Sequence, residues 1–176
     1  MEKGNLLIIY LGILLLLLGV AAFFVIRQVF KTRRIESTLS RLQKKLTKEK
    51  GTAREYYELG SLLLDKKLYT QSALYLQQAL KKLGDDEAVN GALVYNALGY
   101  TYFAQEQFDL AIRNYKEALK IAPDYVTALN NLGHSYERKQ LVSQALESYE
   151  ASLQHDPNNK TAKRRAEALK KRLVAS

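Results

Sequence analysis

Residues 92–123 read ALVYNALGYTYFAQEQFDLAIRNYKEALKIAP, and the same frame returns 34 residues later. Its first pass is Tyr95, Leu98, Gly99, Tyr102, Ala111, Tyr115, Ala118 and Pro123; its second is Leu129, Leu132, Gly133, Tyr136, Ala145, Tyr149, Ser152 and Pro157. Glycine at the eighth place and Ala or Ser at the twentieth remove bulk where two helices of a pair cross. Large residues at the fourth, seventh, eleventh and twenty-fourth places fill the space on either side. Proline stops the second helix because it lacks the N–H and clashes with the preceding turn, and Asp124 is expected to cap the helix that follows. A helix pair of this size cannot bury its apolar face alone. It must stack on neighbours in an array whose usual work is binding other proteins.

Upstream the frame occurs once more, at Tyr56, Leu59, Gly60, Leu63, Ser72, Leu76 and Ala79, with Gly84 at the proline place. Leu59-Gly60 and Leu98-Gly99 lie 39 residues apart, so the segment GDDEAVNG at 84–91 holds a five-residue insertion. It reads as a longer acidic loop. The three repeats are delimited as 53–86, 92–125 and 126–159. This frame resembles the tetratricopeptide repeat across 53–159, which implies an all-α fold: a superhelix of three helix-turn-helix repeats.

Ahead of the repeats, Leu6 to Ile26 is a run of 21 uncharged residues, sixteen of them Leu, Ile, Val or Phe. As a helix it is about 31 Å long, matching a hydrocarbon core of about 30 Å. The competing reading is a cleaved signal peptide ending at Gly19-Val20-Ala21. Against it, the apolar run continues through Phe23, Phe24, Val25 and Ile26, and the leading segment holds only Lys3 beside Glu2. Residues 1–26 are therefore expected to be a transmembrane anchor. Positive charge on its C-terminal flank, at Arg27, Lys31, Arg33 and Arg34, places the repeats on the cytoplasmic or stromal side and the N-terminus in the lumen.

Residues 27–52 are a basic connector in which Ile35, Leu39, Leu42 and Leu46 recur at helical spacing. Two readings of this amphipathic helix stand open: it lies on an anionic lipid surface, or it is a solvated stalk. Thr52 and Glu55 form a capping-box pair for the first repeat. After the repeats, residues 160–176 make a basic helix with apolar Ala162, Ala166, Leu169 and Leu173, expected to cover the last repeat and present charge to solvent. The net charge of +9 sits at these ends: residues 51–159 carry ten basic and fourteen acidic side chains.

Several chemistries are disfavoured. With no cysteine and only His134 and His155, neither a thiol nucleophile nor a zinc site is expected, and no glycine-rich phosphate loop is present. An enzyme, a cofactor and a small-molecule substrate are not expected. The first helices should line a groove, with Tyr57, Ser61, Asn96, Tyr100, Phe103, Asn130, His134 and Arg138 as its floor. The amides of Asn96 and Asn130, one repeat apart, suit an extended peptide backbone. The alternative places the true contacts on the convex side. Repeat proteins that clamp the carboxylate of heat-shock chaperone tails use cationic and Asn residues where this chain has Tyr57, Ser61, Ala97, Thr127 and Asn131. That mode of binding is disfavoured.

The stretch EYYELGSLLLDKKLYTQSALYLQQALK at 55–81, with the anchor ahead of it, is similar to the thylakoid-anchored photosystem I assembly proteins of cyanobacteria and algal plastids. The resemblance implies a non-catalytic assembly or stability factor whose partners are photosystem I subunits or intermediates, in a thylakoid or plasma membrane. Its alternative is a membrane-tethered scaffold for another envelope complex. Nucleic acid, approached through the basic run at 163–172, is disfavoured because such runs usually form a solvated face.

Overall fold

The computed structural model describes residues 2–84 and 91–175; the acidic insertion at 85–90 lies outside them. The chain divides into two units, residues 1–44 and 45–176. The first is occupied by a single helix, α1 (Glu2–Lys48), which ends just inside the second. The sequence marks a boundary at residue 26, where the apolar run gives way to the basic one. The backbone does not break there, since no Gly or Pro lies between Val20 and Lys50 and the helix runs on to Lys48. Side chains from Tyr10 to Phe30 are exposed. Among the described residues α1 is the one helix long and apolar enough to cross a membrane.

In the second unit, seven helices follow as hairpins: α2 (Ala53–Asp65) with α3 (Tyr69–Lys82), α4 (Gly91–Ala104) with α5 (Phe108–Ile121), α6 (Val126–Arg138) with α7 (Val142–His155), and α8 (Lys160–Ala175). Each helix packs on the next, and the first helices α2, α4 and α6 also touch one another in succession. The capping box is present, with Thr52 Oγ1 accepting from Glu55 N and Glu55 returning the bond to Thr52 N at 3.1 Å. The Lys45 ammonium and these Thr52 donors hold the Glu55 carboxyl below its usual range.

The hairpins turn in one way. Lys67, Glu106 and Gln140 adopt φ of 61°, 59° and 61°, the left-handed region. Each is followed by a residue whose N–H reaches back five places: Leu68 to Leu63 O at 2.9 Å, Gln107 to Tyr102 O at 3.0 Å and Leu141 to Tyr136 O at 2.9 Å. This is a Schellman closure, which satisfies orphan carbonyls at the end of the first helix. One cap departs from the expected reading. Asp124 does not cap α6; the N-cap is Tyr125, with no side-chain cap bond. A turn closed by Tyr125 N to Ala122 O delays the helix by one residue, leaving Asp124 one position outside. At the start of α8, Asn159 Oδ1 accepts from Ala162 N at 3.0 Å and supplies the cap.

Inside each hairpin the frame glycine lies against the residue sixteen places on. A Cβ built at Gly99 would stand 2.7 Å from the ring of Tyr115, one at Gly133 3.0 Å from Tyr149, and one at Gly60 2.8 Å from Leu76. Tyr115 and Tyr149 are fully buried and join Leu132, Tyr136, Ala162, Ala166 and Leu169 in one core. The last three are α8 residues, so α8 covers the final hairpin as the sequence implied. Leu173 is the exception: at 43% exposure it lies past the edge of that core. Ser72 Oγ donates to Gly60 O at 2.8 Å and sits 3.3 Å from Thr101 Oγ1, a buried polar bridge between the first and second repeats.

Adding a methyl at Gly99 overpacks the crossing, a cost of about 1–3 kcal/mol, against a gain of about 1 kcal/mol in helix propensity. Gly99→Ala is expected to lower the thermal midpoint of the repeats, Gly133→Ala to lower it less, and Gly12→Ala, with nothing within 4 Å, to leave it unchanged. A circular-dichroism melt of the three variants checks the order.

Candidate protein-binding groove

All eight expected floor residues lie on first helices: Tyr57 and Ser61 on α2, Asn96, Tyr100 and Phe103 on α4, Asn130, His134 and Arg138 on α6. Four of them gather. The ring of Phe103 is 4.7 Å from that of His134 and 6.5 Å from that of Tyr100. The Arg138 guanidinium lies 5.9 Å over Phe103 and 4.7 Å over Phe108, and it bonds Glu106 Oε1 at 3.1 Å. The aromatic rings provide a quadrupole that steadies the cation.

The other four behave differently. Asn96 and Asn130 hold equivalent places, yet only Asn96 is paired, its Oδ1 accepting from Asn131 Nδ2 at 3.0 Å. Asn130 Oδ1 and Ser61 Oγ are buried without a hydrogen-bond partner. Tyr57 is half-buried and packs on the core of the first two repeats. Its proximity to Tyr125 adds to the effect of burial in raising that hydroxyl's pKa.

The structure adds residues that the repeat frame does not single out. Asn131 and Arg165 are 34 residues apart, at the same frame position, and each reaches back onto the preceding first helix. Asn131 meets Asn96, and Arg165 Nη1 meets Glu137 Oε2 at 3.3 Å. Glu137 is engaged at both oxygens, its Oε1 accepting from Tyr149 Oη at 2.6 Å. Burial and this bond to Glu137 push the Tyr149 pKa up. His134 is held below its ordinary pKa by burial first and then by Arg165, with Arg138 acting in the same direction and Glu137 opposing. Among the described residues no group of three or more His, Asp or Glu gathers in metal-ligand fashion.

Comparison with known proteins agrees with this architecture. A family model described as TPR repeat matches residues 99–140, and one described as Tetratricopeptide repeat matches 126–159. The chain is 42% identical over 165 residues to the chloroplastic tetratricopeptide repeat domain-containing protein PYG7 of Arabidopsis thaliana, covering 93% of this chain and 54% of that protein. It is 36% identical over 142 residues to the protein named ycf37 of Cyanophora paradoxa, covering 81% of this chain and 82% of the relative. The chain belongs to the ycf37 family of tetratricopeptide repeat proteins. Among solved structures, the first TPR of Spaghetti (RPAP3), bound to an HSP90 peptide, superposes with a TM-score of 0.64 at 18% identity, over 70% of this chain and 94% of that one. That likeness establishes the fold alone. The repeat family and its ycf37 relatives make the chain a tetratricopeptide repeat scaffold for protein interaction. The chain spans about half the length of the PYG7 relative.

Because His134 is more easily protonated unfolded, near its ordinary value of 6.5, than folded, the unfolded state takes up more protons below that pH. Its contribution to stability is therefore present above about pH 6.5 and declines as pH falls. The thermal midpoint of His134→Gln is expected to change less between pH 7 and pH 5 than that of the parent chain. Parallel slopes would remove the assignment.

Proposed function

We propose that this chain is a membrane-anchored, non-catalytic scaffold that assists photosystem I assembly or stability, with its repeats on the stromal or cytoplasmic face of the thylakoid. The observation that carries the reading is the pairing, in one ycf37-family chain, of tetratricopeptide hairpins with an exposed apolar helix long enough to span a bilayer. Each Leu, Ile, Val or Phe at the centre of such a helix favours insertion by roughly 0.3–0.6 kcal/mol. The chloroplastic relative supports a plastid-type membrane. On this reading residues 1–26 are the anchor, 27–52 the basic connector, 53–159 the repeats and 160–176 the cap. The first-helix face, with Tyr57, Ser61, Asn96, Tyr100, Phe103, Asn130, His134 and Arg138, receives a segment of the partner. A similarly folded domain solved with a peptide bound supports a peptide as the kind of ligand.

Anchoring raises the effective concentration of the repeats near membrane-embedded partners without any new contact. Two charges at the helix centre cost about 5–7 kcal/mol of insertion. Leu14→Arg combined with Leu17→Arg is expected to move the protein from the membrane fraction to the soluble one on cell fractionation. Capture of the intact protein through a C-terminal tag in mild detergent is expected to bring down photosystem I subunits, and deletion to lower photosystem I content. Unchanged photosystem I in a deletion strain would dismiss this function. Capture of a different membrane complex would favour the general scaffold.

A further inference from the structure

We propose that α3 carries a second docking surface, on the side of the repeats formed by the second helices, and that this surface takes an acidic amphipathic helix of another protein. It is separate from the first-helix groove and does not depend on the reading given for that groove.

The first helices α2, α4 and α6 touch in succession, so the second helices stand on the outside of the curve and leave a cleft between each pair. Two of these clefts flank α3. One, of about 390 Å³, is lined by Leu46, Lys50, Tyr56, Leu74, Tyr75 and Lys82. The other, of about 410 Å³, is lined by Leu80, Lys81, Tyr95, Leu98, Tyr102 and Arg113. Both are apolar at heart. In the first, the rings of Tyr56 and Tyr75 stack at 6.4 Å, and Leu74 on its wall is left 53% exposed. In the second, Gln77 Nε2 donates to Tyr102 Oη at 2.7 Å and holds that ring in place.

Charge sets these two clefts apart from the rest of the body. Residues 51–159 are acidic overall, with fourteen carboxylates against ten cations. The clefts beside α3 reverse this: they are lined by four cations, Lys50, Lys81, Lys82 and Arg113, and by one carboxylate, Glu117. Glu117 is engaged by Lys120 at 2.6 Å. Lys50, Lys81 and Arg113 make no ion pair among the described residues. In the cleft of the third repeat Glu147 holds the frame place that Arg113 holds in the second, and Lys116 balances it. The positive character is thus confined to the pair around α3, where carboxylates of a partner complement it.

Two observations make the partner a helix. The amides of the second cleft are spent, Gln77 on Tyr102 and Asn114 Nδ2 on Leu110 O at 2.8 Å. An extended segment would find few partners there for its backbone, whereas a helix satisfies its own. Spacing is the second. Clefts on either side of one helix are separated by about its diameter, about 10–12 Å, and side chains seven residues apart on a helix are separated by a rise of about 10.5 Å. A helix crossing α3 with large apolar residues at i and i+7 fills both clefts.

The test uses the full chain in detergent micelles and fluorescent Ala-rich peptides of about 20 residues, long enough to be helical, with two Leu seven apart and either Glu or Lys around them. The Glu peptide is expected to bind about tenfold tighter than the Lys peptide. Lys81→Glu combined with Arg113→Glu, both at exposed positions, is expected to invert that order without moving the thermal midpoint, and Leu74→Asp to weaken the Glu peptide. A Glu peptide with Ala in place of both Leu that binds equally well would reduce the effect to charge and overturn the role of the clefts. Binding that falls with Tyr100→Ala and ignores the double charge reversal would place the helix in the first-helix groove, overturning this surface and leaving the groove standing. Binding seen only after Asp85, Asp86 and Glu87 are replaced by Asn and Gln would assign the clefts to the chain's own acidic insertion, and no binding at millimolar peptide would overturn the surface outright.

Discussion

The contact between a glycine on one helix and a large side chain on the next sets the geometry of the second unit. At Gly99 the ring of Tyr115 stands where a Cβ would be, and Tyr149 presses on Gly133 in the same way. With no side chain at the crossing, the large residue lies flat against the facing backbone and is wholly buried. The tyrosine body fills the interior, and interiors at this density transmit a displacement of one helix to its neighbours. A shift at one crossing would therefore tilt the next hairpin and alter the spacing of the first helices. That spacing is what allows Phe103 on α4 to meet His134 on α6.

Adjacent first helices are then tied by side chains that point backward along the array. Asn131 reaches Asn96 and Arg165 reaches Glu137, equivalent places with different chemistry. The first is a neutral amide pair, worth about 1 kcal/mol net and useful chiefly for direction. The second joins a network. Tyr149, the same residue that packs on Gly133, donates its hydroxyl to Glu137, so a core tyrosine and an arginine of α8 share one carboxylate. A network closed at every member is rigid, whereas one left half-satisfied is costly. Here the carboxylate is satisfied on both oxygens and the guanidinium keeps donors to spare.

The sequence carried the repeats because their rule is steric and local: a glycine, a tyrosine sixteen residues later, a proline at the end. The capping box was equally legible, because Thr52 and Glu55 satisfy each other within a single turn. Asp124 misled for the opposite reason. Its residue type suits a cap, but the turn at Ala122–Tyr125 moves the helix start by one place, and only backbone geometry fixes that. Tyr100, Phe103, His134 and Arg138 were readable as a set since a repeat frame fixes which positions share a face. Arg165 was hidden inside a run of seven basic residues between Lys160 and Arg172, where charge alone does not distinguish a solvated side chain from one that pairs with Glu137 on α6. The frame position it shares with Asn131 is the signal that separates it from its neighbours.

The charge of the repeat unit is set at its end. Residues 51–159 hold fourteen acidic and ten basic side chains, while residues 160–176 add seven basic ones against Glu167, so α8 turns a net charge of −4 into +2. Exposed charges more than a Debye length apart, about 8–10 Å at ordinary ionic strength, are largely screened from one another, so the cations of α8 act on what lies close to them. Long-range fields govern how fast partners meet, while short-range hydrogen bonds govern how long they stay. Arg165 and Lys170 are paired with Glu137 on α6 and Glu150 on α7. Two of the seven cations therefore fasten the last helix to the final hairpin, and this local pairing, not the net charge, is what fixes the end of the array.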